Sequence, residues 1–152
     1  MSVQNIFCLI YPSAQEPIFA LRLHKVVKSN LGATILSGLN INVLTNTEIL
    51  QLGFNETYEL DVPSDGKPAT LTANNVYGAI RGLETFAQLI NPDWDGNFMI
   101  PLTPIHISDY PRFPHRSLLI DTSRHYLSVS TIIEVLDLMA YSKFNILHWV
   151  SK

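Results

Sequence analysis

Two short apolar runs, Leu118-Leu119-Ile120 after Ser117 and Ile146, Leu147, Trp149 and Val150 around His148, stand on either side of one amphipathic stretch. Each run is too short for a helix core, and the first is bounded by Pro114 and a polar cluster, so each reads as a fully buried strand. Between them, with Ser128 or Ser130 as N-cap, Val129, Ile132, Ile133, Leu136, Met139, Ala140 and Phe144 recur at the spacing of one helical face. Glu134 and Asp137 fall on the other side. Strand, helix and strand make a βαβ unit. Its strands run parallel through a right-handed crossover and, when covered on both faces, read as continuous rather than alternating apolar runs. Function in such units gathers at the carboxyl ends of the strands, which singles out residues 121–125 and the end of the second run at His148-Trp149.

Upstream, the apolar pattern alternates. Leu39, Ile41 and Val43 alternate with Asn40 and Asn42, and Tyr58, Leu60 and Val62 repeat the pattern of a half-buried strand. Pro63-Ser64-Asp65-Gly66-Lys67-Pro68 is turn chemistry, which predicts a hairpin with the next strand over residues 69–73. Asn74 or Asn75 then caps a helix with the stripe Val76, Ile80, Leu83, Phe86, Ala87 and Ile90, ended by Asn91-Pro92. Gly78 and Gly82 lie four apart on one side of it and let it sit close on a sheet; glycines inside a helix do not make a phosphate-cradling loop. Strands near residues 98–101 and 103–108 complete an α+β domain, with a boundary near Asp109. At the start, residues 6–11 predict a first strand, a short secretory signal being the alternative, and Pro17, Phe19, Leu23, Val26 and Val27 predict a helix over residues 17–30. The expected class is α+β, an N-terminal antiparallel sheet with helices over residues 1–108 followed by the βαβ unit over residues 109–152.

Composition narrows the function classes. The 152 residues allow one ordinary domain, or a small domain plus a fragment, and 47% hydrophobic content supplies a core. A net charge of −3 with scattered Lys and Arg gives no footprint for nucleic acid. Cys8 is the single cysteine, which excludes an internal disulfide and leaves the redox compartment open. No run reaches the length of a membrane span. His24, His106, His115, His125 and His148 lack paired zinc-ligand spacing, so no metal and no cofactor are expected. Asp121, Ser123 and His125 supply the residue types of a hydrolytic triad, but one five-residue loop does not arrange them as a relay. Asn55-Glu56-Thr57 is an N-glycosylation acceptor sequence, making Asn55 a modification candidate.

The segment Phe113-Pro114-His115-Arg116-Ser117-Leu118-Leu119-Ile120-Asp121-Thr122-Ser123-Arg124-His125-Tyr126-Leu127 resembles the opening of the catalytic barrel of glycoside hydrolase family 20, the lysosomal-type β-N-acetylhexosaminidases. Residues 136–145 with His148-Trp149, and residues 75–89 upstream, agree in order. Glu56-Thr57-Tyr58-Glu59-Leu60 is similar to the family's acidic-Ser-Tyr-x-Leu strand. The resemblance implies a hexosaminidase-type N-terminal domain over residues 1–108 and the first strand, helix and strand of a (β/α)8 barrel over residues 109–152. Family members remove a terminal β-linked N-acetylhexosamine with retention, the substrate's acetamido oxygen acting as nucleophile. An Asp-Glu pair late in the barrel orients the acetamido group and protonates the leaving oxygen, and no such pair occurs in this sequence. Where the chain reads Val150-Ser151-Lys152 the family continues His-Trp-His-Leu and soon an Asp. The expectation is therefore a truncated hexosaminidase-like protein, inactive alone, with a non-catalytic binding or assembly module as the alternative. A lysosomal or secreted location is implied as well, and Asn55 fits it.

Among site residues, the family's match to Arg124 holds the hydroxyls at carbons 3 and 4 of the terminal sugar, which suits a planar fork of charged donors. Read from the residues alone, an arginine paired with Asp121 to tie down the loop is equally open. Asp121 and His148 are near-site candidates, a packed core histidine being the other reading of His148. Unless the first domain or another chain covers them, two parallel strands also leave an unpaired edge and expose Leu118, Ile120, Leu147 and Trp149, which predicts self-association or partial disorder after about residue 127.

Overall fold

The computed structural model describes residues 34–46, 49–92 and 98–151. The strand and helix expected over residues 6–11 and 17–30 lie outside them. Backbone packing divides the chain into two units, Met1–Ile49 with Asn55–Pro111, and Leu50–Phe54 with Arg112–Lys152.

In the first unit the expected hairpin forms, β2 (Tyr58–Val62) pairing antiparallel with β3 (Ala69–Ala73), Leu60 opposite Leu71. The turn between them closes on Asp65, whose Oδ1 accepts the Lys67 N–H at 3.2 Å, and on Gly66 at a φ of 80°. β1 (Leu39–Val43) lies beside β3, and β6 (Ile105–Asp109) lies antiparallel on the other side of β2. The strand order is β1-β3-β2-β6. A second ladder pairs β4 (Asn91–Pro92) with β5 (Phe98–Met99).

The four-stranded sheet is mixed, not wholly antiparallel as expected, because β1 runs parallel to β3. The tight turn commits β3 to one flank of β2, and β6 takes the other. β1 is left the free flank of β3, where its direction is the same.

α1 (Val76–Leu89) starts on Asn75, whose Oδ1 accepts the Gly78 N–H at 3.0 Å. It lays Val76, Gly78, Ala79, Gly82 and Phe86 on the sheet face formed by Tyr58, Leu60, Val62, Ala69, Leu71 and Ala73. Full burial of side chains such as Leu60 and Leu71 contributes roughly 1.5–3 kcal/mol each. Both helix glycines are there for close approach. A Cβ on Gly78 would lie 2.6 Å from the Thr57 carbonyl oxygen, and one on Gly82 would run into Leu71 Cδ1.

In the second unit β7 (Ser117–Asp121) and β8 (Ile146–Val150) pair in parallel, joined by α2 (Val129–Tyr141). Ser128 is the N-cap, its hydroxyl accepting the Thr131 N–H at 3.2 Å. The helix ends in a Schellman pattern: Phe144 N–H donates to Met139 O at 2.8 Å and Lys143 N–H to Ala140 O at 3.1 Å, with Lys143 at a φ of 59°. Ile120, Ile132 and Met139 form the buried centre.

The expectation of strands buried on both faces is not met. Ile120 is 8% exposed and its neighbour Leu119 56%, because one crossover helix covers one face of a two-stranded sheet. Leu118 and Trp149 are exposed as expected, but Ile120 is not; the residues after 127 form α2 and β8. No helix among the described residues is long and apolar enough to cross a membrane.

Candidate functional site

The parallel register places Asp121 beside Val150 and Leu119 beside His148. With side chains alternating, Asp121, Leu119, His148 and Val150 share one face, and Ile120 and Trp149 share the other. The loop leaving β7 is then built on Asp121. Its Oδ1 accepts the Ser123 N–H at 3.0 Å, the Ser123 hydroxyl at 2.6 Å and the Arg124 N–H at 3.2 Å. Its Oδ2 lies 3.2 Å from Arg124 Nε. These donors hold the Asp121 carboxyl below the usual carboxylate range: the Ser123 hydroxyl leads, the Arg124 and Ser123 N–H groups and His125 add to it, and partial desolvation opposes them.

A second tie closes the same end of the sheet. Thr122 N–H donates to Val150 O at 3.0 Å, the Thr122 hydroxyl donates to the same oxygen at 3.3 Å, and Trp149 Nε1–H donates to Thr122 Oγ1 at 2.9 Å. The indole and the loop after β7 are thereby fixed to each other. No sequence expectation contained this pairing, because Thr122 and Trp149 become neighbours only once the register is known.

Of the expected site residues, Arg124 and Asp121 are brought together directly, and the Arg124 side chain remains 82% exposed. His148 is exposed on the Asp121 face, not packed in a core. Ser123 and His125 do not form a relay with Asp121, since the Ser123 hydroxyl bonds the carboxylate itself. Asn55 belongs to the first unit, where its exposed side chain accepts the Thr57 N–H at 2.9 Å. No three His, Cys, Asp or Glu side chains converge as a metal site among the described residues. The arrangement offers an exposed cationic fork beside an acidic loop anchor, a hydrogen-bonding surface for polar oxygens.

Comparison with known proteins decides what this arrangement is similar to. A family described as "beta-acetyl hexosaminidase like" matches residues 8–89, more than half of the chain, and one described as "Glycosyl hydrolase family 20, catalytic domain" matches residues 113–151. The chain belongs to glycoside hydrolase family 20. It is 46% identical over 122 residues to the beta-hexosaminidase subunit B1 of Dictyostelium discoideum, covering 79% of this chain and 22% of that one. It is 50% identical over 117 residues to the beta-hexosaminidase subunit beta of Sus scrofa, covering 76% and 21%. Among solved structures, the chitobiase of Flavobacterium johnsoniae superposes with a TM-score of 0.63 at 39% identity, over 73% of this chain and 16% of that one. This family 20 chain spans about a fifth of the length of those curated relatives.

Proposed function

We propose that this chain is a β-N-acetylhexosaminidase-like piece whose residues 1–108 form the N-terminal domain and whose residues 109–152 form the first strand, helix and strand of the catalytic barrel. In this reading the protein to which it corresponds hydrolyses terminal non-reducing N-acetyl-β-hexosamine residues of glycans, with retention and with the substrate's acetamido group as nucleophile. The two family matches, one in each unit, support it. The observation that carries the site is Arg124 at the carboxyl end of a parallel strand, its terminal nitrogens exposed. That fork takes two adjacent sugar hydroxyls, with Asp121 beside it and His148 a near-site candidate on the Asp121 face of the sheet.

These 152 residues contain no Asp-Glu pair to orient the acetamido group and protonate the leaving oxygen. The chain alone then binds a terminal N-acetylhexosamine weakly and does not turn it over. The test is hydrolysis of a chromogenic β-N-acetylglucosaminide beside an N-acetylglucosamine titration followed by NMR, with Arg124→Ala as control. Saturable shifts lost in the variant, with no turnover in either chain, are the expected result. Turnover that disappears with Arg124 would overturn the inactive reading, and binding indifferent to Arg124 would overturn the site.

A second reading, a non-catalytic assembly module, is favoured by the exposed apolar side chains of the second unit, Leu118, Leu119 and Trp149 on the sheet and Val129, Leu136 and Leu138 on α2. It predicts self-association of the chain, measured by sedimentation velocity across concentration. A sharp monomer at all concentrations would exclude it.

A further inference from the structure

Arg124 meets the described chain through its inner edge only. Nε lies 3.2 Å from Asp121 Oδ2 and the backbone N–H donates to Asp121 Oδ1, while the two terminal nitrogens bond no described residue. The ion pair at Nε and the backbone N–H on the same carboxylate restrain the Arg124 side chain near Asp121, and the two terminal NH2 groups stay available as donors. An exposed arginine without such a hold samples many rotamers and loses that freedom when a ligand immobilises it.

The same carboxylate also turns the loop that carries the arginine. Oδ1 takes the Ser123 N–H, the Ser123 hydroxyl and the Arg124 N–H, an Asx-type turn at the end of β7. The two oxygens divide these roles, Oδ1 holding the loop and Oδ2 the guanidinium.

We infer that Asp121 is the positioning residue of this site, aiming the Arg124 fork at two adjacent ring hydroxyls without touching the sugar itself, an inference that rests on the sugar-clamp reading of Arg124. It assigns affinity to preorganisation, in which the arginine is ordered before the sugar arrives.

One substitution separates the two oxygens. Asp121→Asn keeps an acceptor for the loop N–H groups but turns an amide NH2 toward the guanidinium, so that donor faces donor. Ser123→Ala does the converse, removing one loop bond and leaving the guanidinium contact. The experiment follows the Arg124 Nε–H signal of the full 152-residue chain by NMR during titration with N-acetylglucosamine, for wild type and these two variants beside Arg124→Ala. Wild type and Ser123→Ala should bind alike. Asp121→Asn should bind about two- to fivefold more weakly, with the Nε–H signal moved to that of a free arginine, a loss of one solvent-exposed ion pair. If Asp121→Asn binds as wild type with an unmoved signal, the positioning role is overturned while the sugar reading stands. If wild type gives no saturable shift, or Arg124→Ala binds as wild type, the sugar reading fails and this one with it. Should Asp121→Asn not fold, acidification of the wild type serves instead. With Arg124 and His125 as the charged neighbours of Asp121, protonating its carboxyl must move the Nε–H signal and weaken binding together. Separate movement of the two overturns the inference.

Discussion

Arg116 and Asn145 are joined twice across the start of the parallel pair. The Arg116 N–H donates to Asn145 Oδ1 at 3.0 Å, and the Asn145 N–H donates to the Arg116 carbonyl at 3.0 Å. Asn145 Nδ2 adds a bond to Pro114 O at 2.8 Å, and Arg116 Nε reaches Lys143 O at 2.8 Å. The ends of β7 and β8 remote from Arg124 are thus stitched together, and the register that places Asp121 beside Val150 follows from that fixed point.

Asn145→Ala removes an acceptor and a donor at once and leaves a half-buried backbone N–H unpaired. A loss of about 1–3 kcal/mol in the second unit is expected. Hydrogen exchange should quicken at β7 and β8 amides and not in α1. Asn145→Asp keeps the acceptor and should lose less; equal protection in the alanine variant and wild type would contradict the stitch.

The two glycines of α1 invert the usual helix rule. In an exposed helix, Gly→Ala stabilises by up to about 1 kcal/mol, whereas here the added methyl enters occupied space. Gly78→Ala meets the backbone of Thr57 and Glu56, and Gly82→Ala meets the fully buried Leu71. Each should destabilise the first unit by about 1–3 kcal/mol in urea denaturation, Gly78→Ala more, because a side chain yields more readily than backbone.

Glu56 is 3% exposed and its carboxylate lies 2.6 Å from Arg81 Nε, tying the chain two residues before β2 to α1. Breaking such a pair from one side takes a desolvated charge's counter-ion away, so Glu56→Gln or Arg81→Met should each cost about 3–5 kcal/mol. The double substitution should cost less than the two singles together. Denaturant midpoints of the four proteins complete the cycle, and strict additivity would mean that the two side chains act independently.

Tyr58 is buried beneath α1, its hydroxyl donating to Asp109 Oδ2 at 2.8 Å and lying 2.5 Å from Thr85 Oγ1. Burial foremost, with help from the Asp109 charge and against the Thr85 bond, pushes its phenol up to about 12 from 10.0. Because the folded value is the higher one, the stability it contributes is complete below pH 10 and is lost as pH rises toward 12. Denaturation measured across that window should show stability falling in wild type and a shallower fall in Tyr58→Phe. In the folded protein, absorbance titration should show the Tyr58 phenol ionising toward pH 12, a step absent from Tyr58→Phe.

Much of the local structure was legible in the sequence, for identifiable reasons. Period-two alternation marks Leu39 to Val43 and Tyr58 to Val62, and the turn residues from Pro63 to Pro68 join the second strand to its hairpin partner. A 3.6-residue period with Asn75 and Ser128 as caps marks α1 and α2. Each of these signals lies within one turn or one strand, so no distant residue is needed to read it. The motif around Arg124 and the alternating strand at Tyr58 were sufficient for the family as well.

What needed the tertiary structure involves partners far apart in the chain. Amphipathic alternation states which face of Leu39–Val43 is buried but not which strand lies beside it. Its parallel pairing with β3 follows from the room left once the hairpin had formed. The apolar runs of β7 and β8 suggested two covered faces, yet how many faces are covered depends on what packs on them. For the site, sequence alone determined that Asp121 and Arg124 stand three residues apart at a strand end, close enough to pair. Only the fold decided that Oδ1 would turn the loop, that Oδ2 would hold Nε, and that Trp149 would reach Thr122, because hydrogen-bond geometry is set by backbone register and not by spacing along the chain.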